Sequence, residues 1–476
     1  MKDEICGRQT ELEIFDRILK TNGANFIAVT GRRRVGKTFL IKHGFASNMF
    51  FYFTGKKDAS NQEQLERFSR TLENHYIVPF LAETPKNWDI AFDQLKAFLL
   101  HKKTKKKQVI FLDEVPWIAT AKSGFLSALD YFWNAWAVDR NIVLVVCGSA
   151  ASWITKNIIN NRGGLHNRIT HHIKLKPFTL GETESFLKRK KIQLPKYDII
   201  QLYMVMGGIP FYLNEINRGD TATIAIDRIC FGEQGLLKHE FNNLYKALFD
   251  NYEGYEIIVK VLATKWKGLT RQEIIEISGY TNGGGLTRIL NDLEEASFIM
   301  SYQPFGKIER NTIYRLIDEY SLFYLSFIAK SRSALSGTWA NLSQSQKYKV
   351  WAGYAFECLC IKHLYRIKNA LGIAGVYSES ASFYIKGNEI QEGFQIDLLI
   401  DRKDNAINIC EMKFYTGNII INKKYAQQLW NRREQFRAIS KTRKQLITTL
   451  VTTYGMEINE HSLSVIDNVV TMKNLF

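Results

Sequence analysis

The stretch Phe26 to Ile41, FIAVTGRRRVGKTFLI, decides how the rest of the chain is read. Its apolar, β-branched start, Phe26 to Thr30, predicts a buried strand. Gly31-x-x-x-x-Gly36-Lys37-Thr38 then turns the chain, and Phe39, Leu40 and Ile41 open a helix. Strand, glycine-rich turn and helix in that order are the context a phosphate-binding P-loop requires. The glycines let the backbone come close, so that successive N–H groups and the helix N-terminus face an anion. On this reading Gly31, Arg34, Val35, Gly36, Lys37, Thr38 and Phe39 surround the phosphates of ATP. Lys37 reaches the β- and γ-phosphates, and the Thr38 hydroxyl ligates Mg²⁺.

A second apolar run, Val109-Ile110-Phe111-Leu112, delivers Asp113 and Glu114 at its C-terminal end. Ligands bind at that end of the strands in parallel α/β sheets. Asp113 is expected to hold Mg²⁺, directly or through water, and Glu114 to orient and deprotonate an attacking water. A strand ending in acids is common alone, but downstream of a P-loop it has the form of a Walker B motif. Ile142 to Cys147 predict another buried strand ending at Gly148-Ser149. Ser149 there either senses the γ-phosphate or caps a helix. Arg168, in the loop Gly163 to Arg168, is either an arginine finger on its own or a neighbouring nucleotide, or one side of a surface ion pair.

GRRRVGKT, VIFLDEVPW, VVCGSA, GGLHNRIT and MGGIPFYL, in this order, resemble the archaeal-type ATPase family, a P-loop group close to AAA+ and STAND ATPases. The Gly7-Arg8 pair ahead of a helix resembles the adenine-side segment of those proteins. The resemblance implies a P-loop ATPase core over residues 1–180 and a helical lid over 181–250.

Composition is that of a globular protein large enough for several cores: 476 residues, 46% hydrophobic and 23% charged. The net charge of +17 suits a polyanionic partner such as nucleic acid, although Lys and Asn are abundant throughout. Six cysteines without a CxxC pair fit buried thiols in a reducing compartment. The N-terminus lacks an apolar signal core, and no apolar run approaches the roughly 18 residues of a membrane span. A soluble, cytoplasmic protein with no membrane partner is expected. The basic run His101 to Lys107 reads as a solvated loop, or less readily as a nucleic-acid contact.

Residues 251–335 read as a winged helix, with Thr270 capping its second helix. Its third helix, Leu286 to Ala296, carries Arg288 but also Asp292, Glu294 and Glu295. These acids favour a packing or relay role over reading of DNA bases. The polar, Ser-rich segment Ala334 to Lys349 reads as a linker.

In the final region, 336–476, a strand Gln395 to Ile400 and a returning strand Ala406 to Phe414 bring Asp397, Glu411 and Lys413 toward one face. Two carboxylates can hold Mg²⁺ while the lysine positions a water or stabilises developing charge. A cross-strand salt bridge is the plainer alternative. Asp397 … Glu411-Met412-Lys413 resembles the PD-(D/E)XK nuclease core, and Glu357 on the leading helix fits the resemblance as a further metal contact. The archaeal-type family often ends in a domain with this signature, which extends the resemblance over the second half of the chain. Trp430, Arg432, Arg433 and Arg437 lie on a following helix, along a nucleic-acid backbone or in solvent.

The expected architecture is thus multidomain α/β: a P-loop parallel α/β ATPase with a helical lid, a winged helix and a C-terminal restriction-endonuclease-like domain. The expected function is ATP hydrolysis coupled to Mg²⁺-dependent chemistry on DNA, with a homo-oligomer if Arg168 serves a neighbour. The rival is a STAND-like nucleotide switch that binds a partner without cutting it. A purely structural ATP-binding scaffold is weaker, since it needs neither Glu114 nor the acid–acid–lysine set.

Overall fold

The computed structural model describes residues 4–75, 83–102, 104–160, 163–165, 167–249, 251–306, 311–331, 337–385 and 394–476. Lys103 of the basic run, His166, residues 307–310 at the tip of the expected wing and 334–336 of the expected linker lie outside them. The chain divides into two compact units, Met1–Pro177 and Phe178–Phe476.

The first unit is a five-stranded parallel sheet wrapped by helices. In chain order its main elements are α1 (Gln9–Lys20), β1 (Asn25–Gly31), α2 (Lys37–Gly44), β2 (Met49–Thr54), α3 (Asn61–His75), α4 (Trp88–His101), β3 (Gln108–Asp113), α5 (Phe125–Ala135), β4 (Ile142–Cys147) and β5 (His171–Leu175). The strands lie in the order β2-β3-β4-β1-β5, every pair parallel. Parallel strands covered on both faces read as unbroken apolar runs, and β4 is buried at all six positions. One face packs on an aromatic cluster from α3, α4 and α5. Phe68 meets Trp88 edge-on at 5.5 Å, and Trp88 meets Phe125 at 4.9 Å. The Trp88 indole N–H donates to Asn61 Oδ1 at 2.9 Å, so the buried ring leaves no polar atom unmet. Because β4 sits between β1 and β3, the C-terminal ends of all three strands are neighbours.

The second unit opens with helices α6 (Leu180–Arg189) and α7 (Lys196–Met206), the first started by a Thr179/Glu182 capping box. Next come α8 (Tyr252–Leu262), β6 (Leu269–Thr270), α9 (Arg271–Ser278), α10 (Gly284–Glu295), β7 (Ile299–Tyr302) and β8 (Ile313–Leu316). The three strands form an antiparallel sheet in the order β6-β8-β7. Thr270 caps α9 in a box with Glu273, whereas Gly284 and Gly285 lie inside α10 rather than before it.

The rest of the unit holds α11 (Thr338–Leu342), α12 (Gln346–Lys362), β9 (Ser378–Ile385), β10 (Phe394–Arg402), β11 (Ala406–Lys413), α13 (Lys423–Ser440), β12 (Gln445–Thr452) and β13 (Asn468–Thr471). Its sheet runs β13-β12-β11-β10-β9, antiparallel from β9 to β11 and parallel from β11 to β13. Among the described residues all six cysteines are free thiols, and no helix is long and apolar enough to cross a membrane.

The segment expected to be a linker is instead structured from residue 337 on. The two Asp227 carboxylate oxygens accept from the Gly337 N–H at 2.8 Å and the Trp339 N–H at 2.7 Å, fixing the start of α11. Trp339 then packs among Phe231, Phe323 and Phe327 and is only 2% exposed. One buried aromatic outweighs a polar, Ser-rich composition. Trp339→Ala is expected to destabilise this unit by about 3–5 kcal/mol. Denaturant unfolding should show the loss, with ATP binding unchanged; a loss below about 1 kcal/mol would mean that the segment is not part of the core.

Candidate functional site

The first site forms where β1, β3 and β4 end together. Gly31 closes β1 with φ +144°, and a Cβ there would lie 2.3 Å from the carbonyl oxygen of Leu175 on β5. Only glycine fits this close approach. Arg34 (φ +70°) and Gly36 (φ +91°) turn the loop, and α2 starts at Lys37. The loop is braced from beneath by the buried Arg8, which donates to the carbonyls of Val35 (3.1 Å) and Lys176 (2.7 Å). Val35 is buried, while Phe39 faces outward at 47% exposure.

The buried ammonium of Lys37 donates to the carbonyls of Gly31 (2.8 Å) and Arg32 (3.0 Å), inside its own loop. The Thr38 hydroxyl donates to Asp113 Oδ2 at 2.7 Å. A hydroxyl and a carboxylate sharing one point suit an octahedral Mg²⁺ completed by phosphate oxygens and water. Glu114, next along the chain, takes the left-handed conformation (φ 49°, ψ 47°). One of its carboxylate oxygens accepts from both the backbone N–H and the hydroxyl of Ser149, each at 3.0 Å. Burial raises the Glu114 carboxyl above its usual pKa, and the Ser149 N–H works against that rise. Arg168 is exposed, and among the described residues its side chain makes no ion pair.

The second site is a cleft of about 460 Å³ on the C-terminal sheet. Its lining includes Asp397, Glu411, Lys413, Glu357, Arg432 and Lys267. The β9–β10 register breaks between Ile396 and Leu399, so Asp397 sits on a bulge that re-aims its side chain. Glu411 and Lys413, two apart on β11, share a face. The Glu411 carboxylate is held by Lys413 (2.8 Å), by Arg432 (3.1 Å) and by the Tyr425 hydroxyl (2.9 Å). Burial opposes its ionisation, yet Lys413 and Arg432 prevail and keep the carboxyl below its usual pKa. Asp397 goes the other way: burial, and then the charge of Glu411, raise it.

Glu357 points from α12 to the same cleft but meets the guanidinium of Arg315 at 3.2 Å. Arg315 belongs to β8 and is almost fully buried. Burial and the nearby Asp397 push the Glu357 carboxyl up to about 7 against the pull of Arg315. Among the described residues no three His, Cys, Asp or Glu side chains are grouped to hold a metal ion. Asp397, Glu411, Lys413 and Glu357 thus converge on one cleft. Arg315, Tyr425 and Lys267 were not picked out in the sequence; an arginine inside the short β-run Thr312 to Ile317 was the one available sign.

Residues 6–216 match the family model of an ATPase domain predominantly from Archaea. The uncharacterized protein MJECL04 of Methanocaldococcus jannaschii is 22% identical over 388 residues, covering 80% of this chain and 82% of that one. Among solved structures, the Walker-type ATPase PABY2304 of Pyrococcus abyssi aligns over 68% of this chain and 96% of its own, at 16% identity and a TM-score of 0.49. The ORC2 protein of Aeropyrum pernix, solved with ADPNP and ADP, aligns over 72% and 96%, at 15% identity and a TM-score of 0.42. The family match and the P-loop together make the N-terminal region a nucleotide-binding P-loop ATPase domain.

The Arg315–Glu357 pair has a measurable signature. Removing either partner alone strands a buried charge, so Arg315→Ala or Glu357→Ala should each destabilise by about 3–5 kcal/mol, whereas Arg315→Met with Glu357→Leu should recover most of the loss. Additive losses in the double variant would mean that the two side chains are not coupled.

Proposed function

We propose that the ATPase domain at residues 6–216 works with a metal-dependent, PD-(D/E)XK-type nuclease built on the C-terminal sheet, and that DNA is the substrate. The observation that carries this reading is the convergence of a bulge-borne Asp397 with Glu411 and Lys413 in one cleft. We assign residues 1–180 to the ATPase core, 181–250 to its lid, 251–335 to a winged helix and 336–476 to the nuclease-like domain. The chain order α8-β6-α9-α10-β7-β8, with the strands paired β6-β8-β7, supports the winged helix.

At the nucleotide site Thr38 and Asp113 would hold Mg²⁺, and in the cleft Asp397 and Glu411 would. Two carboxylates suffice, because Mg²⁺ keeps several waters and binds substrate phosphates. When bound, the ion supplies charge stabilisation at phosphoryl oxygens and a more acidic water. Lys37 would leave its loop carbonyls for the β/γ-phosphates. Glu114, held off the nucleotide by Ser149, would swing to take the proton of the attacking water once a γ-phosphate engages Ser149. Arg168, exposed and without an ion pair among the described residues, would serve as a finger, in its own subunit or across a homo-oligomer. In the cleft, Lys413 would release Glu411 to orient the nucleophilic water.

The winged helix serves as a relay on this reading. The acids of α10 are used internally: Asp292 accepts from the Tyr255 hydroxyl at 2.6 Å, and Glu294 accepts from Ser301 N–H at 2.9 Å. One observation favours the rival reading, a STAND-like nucleotide switch that binds a partner without cleavage. Glu411 is already neutralised by two cations, as a salt-bridged structural carboxylate would be.

Cleavage of linear and supercoiled DNA with Mg²⁺ or Mn²⁺, with and without ATP, separates the two. Asp397→Ala and Lys413→Ala should each reduce cleavage by about a hundredfold or more while ATP binding persists. DNA left intact by the native protein under every condition would leave the switch.

The ATPase pH profile tests Glu114. The carboxylate must be ionised to accept a proton, so hydrolysis should fall as pH drops through its raised pKa. Ser149→Ala removes one of two donors that favour the ionised form in the nucleotide-free enzyme, so the acid limb of kcat/KM, which reports that state, should move to higher pH. Glu114→Gln should lower the plateau by about 10²- to 10⁴-fold. A limb that stays in place in Ser149→Ala would remove Glu114 from the role of base.

A further inference from the structure

The charges lining the C-terminal cleft fall into an uneven account. Lys413 and Arg432 both pair with Glu411, and Arg315 pairs with Glu357 from beneath. Lys267 is left over. It lies on the turn ahead of β6, in the three-helix region rather than on the sheet that carries Asp397, Glu411 and Lys413. Among the described residues its ammonium makes no ion pair, although its charge acts on Asp397.

The turn is held in place from three directions. The Lys267 carbonyl accepts from the Tyr302 hydroxyl at 2.9 Å. The Gly268 N–H closes the turn on the Lys265 carbonyl at 2.8 Å. Gly268 itself has φ +98°, and a Cβ there would lie 2.5 Å from Ile313 Cγ2 and 2.9 Å from the Tyr314 carbonyl oxygen. A lysine on so fixed a turn, half-buried at the rim of a cleft, is a placed charge rather than a solvated one. If a divalent ion takes up the charges of Asp397 and Glu411, the cleft keeps Lys267, Lys413 and Arg432 as surplus cations. That surplus calls for an anion with several phosphates in a row.

We propose that Lys267 is a substrate-positioning residue of the cleft, binding a backbone phosphate of a polynucleotide, so that the site is assembled from the three-helix region and the C-terminal sheet together. This rests on the nuclease reading above. It implies that the isolated C-terminal sheet would have an incomplete substrate site.

The test uses the full chain carrying Lys413→Ala, so that binding is read without cleavage, and a fluorescein-labelled DNA oligonucleotide followed by anisotropy over a salt series with Mg²⁺. Adding Lys267→Gln should weaken binding by about threefold to tenfold and reduce the slope of log K against log salt by about 1. Lys267→Arg should keep both near the parent values. Lys122→Gln, which removes the same charge from an exposed turn of the first unit, should change neither. Unaltered affinity and slope in Lys267→Gln would overturn the assignment, as would an equal loss in Lys122→Gln, which would trace the effect to net charge. Absence of DNA binding by the parent would overturn it as well. Weakened binding in Lys267→Gln, beside a native protein that never cleaves, would keep Lys267 as a phosphate contact and discard the nuclease.

Discussion

A guanidinium taken out of water has to meet a counter-charge. In the second unit that requirement falls on Arg315, and its solution joins two regions of the fold. The arginine comes from β8 and its partner Glu357 from α12, the helix that leads into the C-terminal sheet. Around the pair the same regions meet again. The Phe305 N–H donates to the Ser382 carbonyl at 2.7 Å, and the Phe305 ring packs on Phe436 at 5.5 Å. Such a pair adds little net stability over apolar side chains of the same volume. What it supplies is a specific tie between β8 and α12.

The first unit meets the same requirement with backbone rather than counter-ions. Lys37 is satisfied by two loop carbonyls. Lys107 is satisfied by the carbonyls of Ile18 and Thr21, each at 3.0 Å. Carbonyls are cheap to give up: a phosphate or another strong acceptor can displace them without leaving a buried charge behind. In the second unit Glu411 is tied to Lys413 and Arg432 and Glu357 to Arg315, so a cation reaching either of these carboxylates has to compete with a charge of the same chain.

Much of the first unit was legible because its signals are local. A P-loop is one continuous segment, and a parallel sheet buried on both faces writes itself as apolar runs at Phe26, Val109 and Ile142. The pairing of Thr38 with Asp113 followed from the two motifs together, whereas the grip of Ser149 on Glu114 depends on β4 lying between β1 and β3, which no segment encodes alone. Lys107 was read with its neighbours as part of a solvated basic loop. It is buried, since the last residue of the charged run stands directly before the buried strand β3, and its ammonium is held by the carbonyls of Ile18 and Thr21. In the second unit the strands bearing Asp397, Glu411 and Lys413 could be read from alternation and spacing. Arg315, Tyr425 and Lys267 could not, because what brings each to the cleft is contact between elements far apart in sequence. The Ser-rich stretch before α12 misled for the opposite reason: composition averages over residues, while Trp339 acts singly.

Helix α12 carries more than Glu357. Lys362 near its end pairs with Glu319 at 2.6 Å, and His363 just beyond accepts from the Leu180 N–H, the first of α6, at 3.0 Å. The other nitrogen of His363 donates to the Leu359 carbonyl at 2.8 Å, and burial lowers the ring's pKa, so a neutral imidazole fills both roles. Six residues of α-helix, about 9 Å, therefore separate the anchor of α6 from the acid in the cleft. On the other side Phe414, next to Lys413, stacks on Tyr197 of α7 at 5.0 Å and packs at a tilt against Phe356 of α12 at 5.5 Å. The cleft is thus mounted on α6 and α7 by two short, stiff struts. A tilt of α6 or α7 has no soft segment in which to dissipate, and must either break these anchors or change the spacing of Glu357 and Lys413.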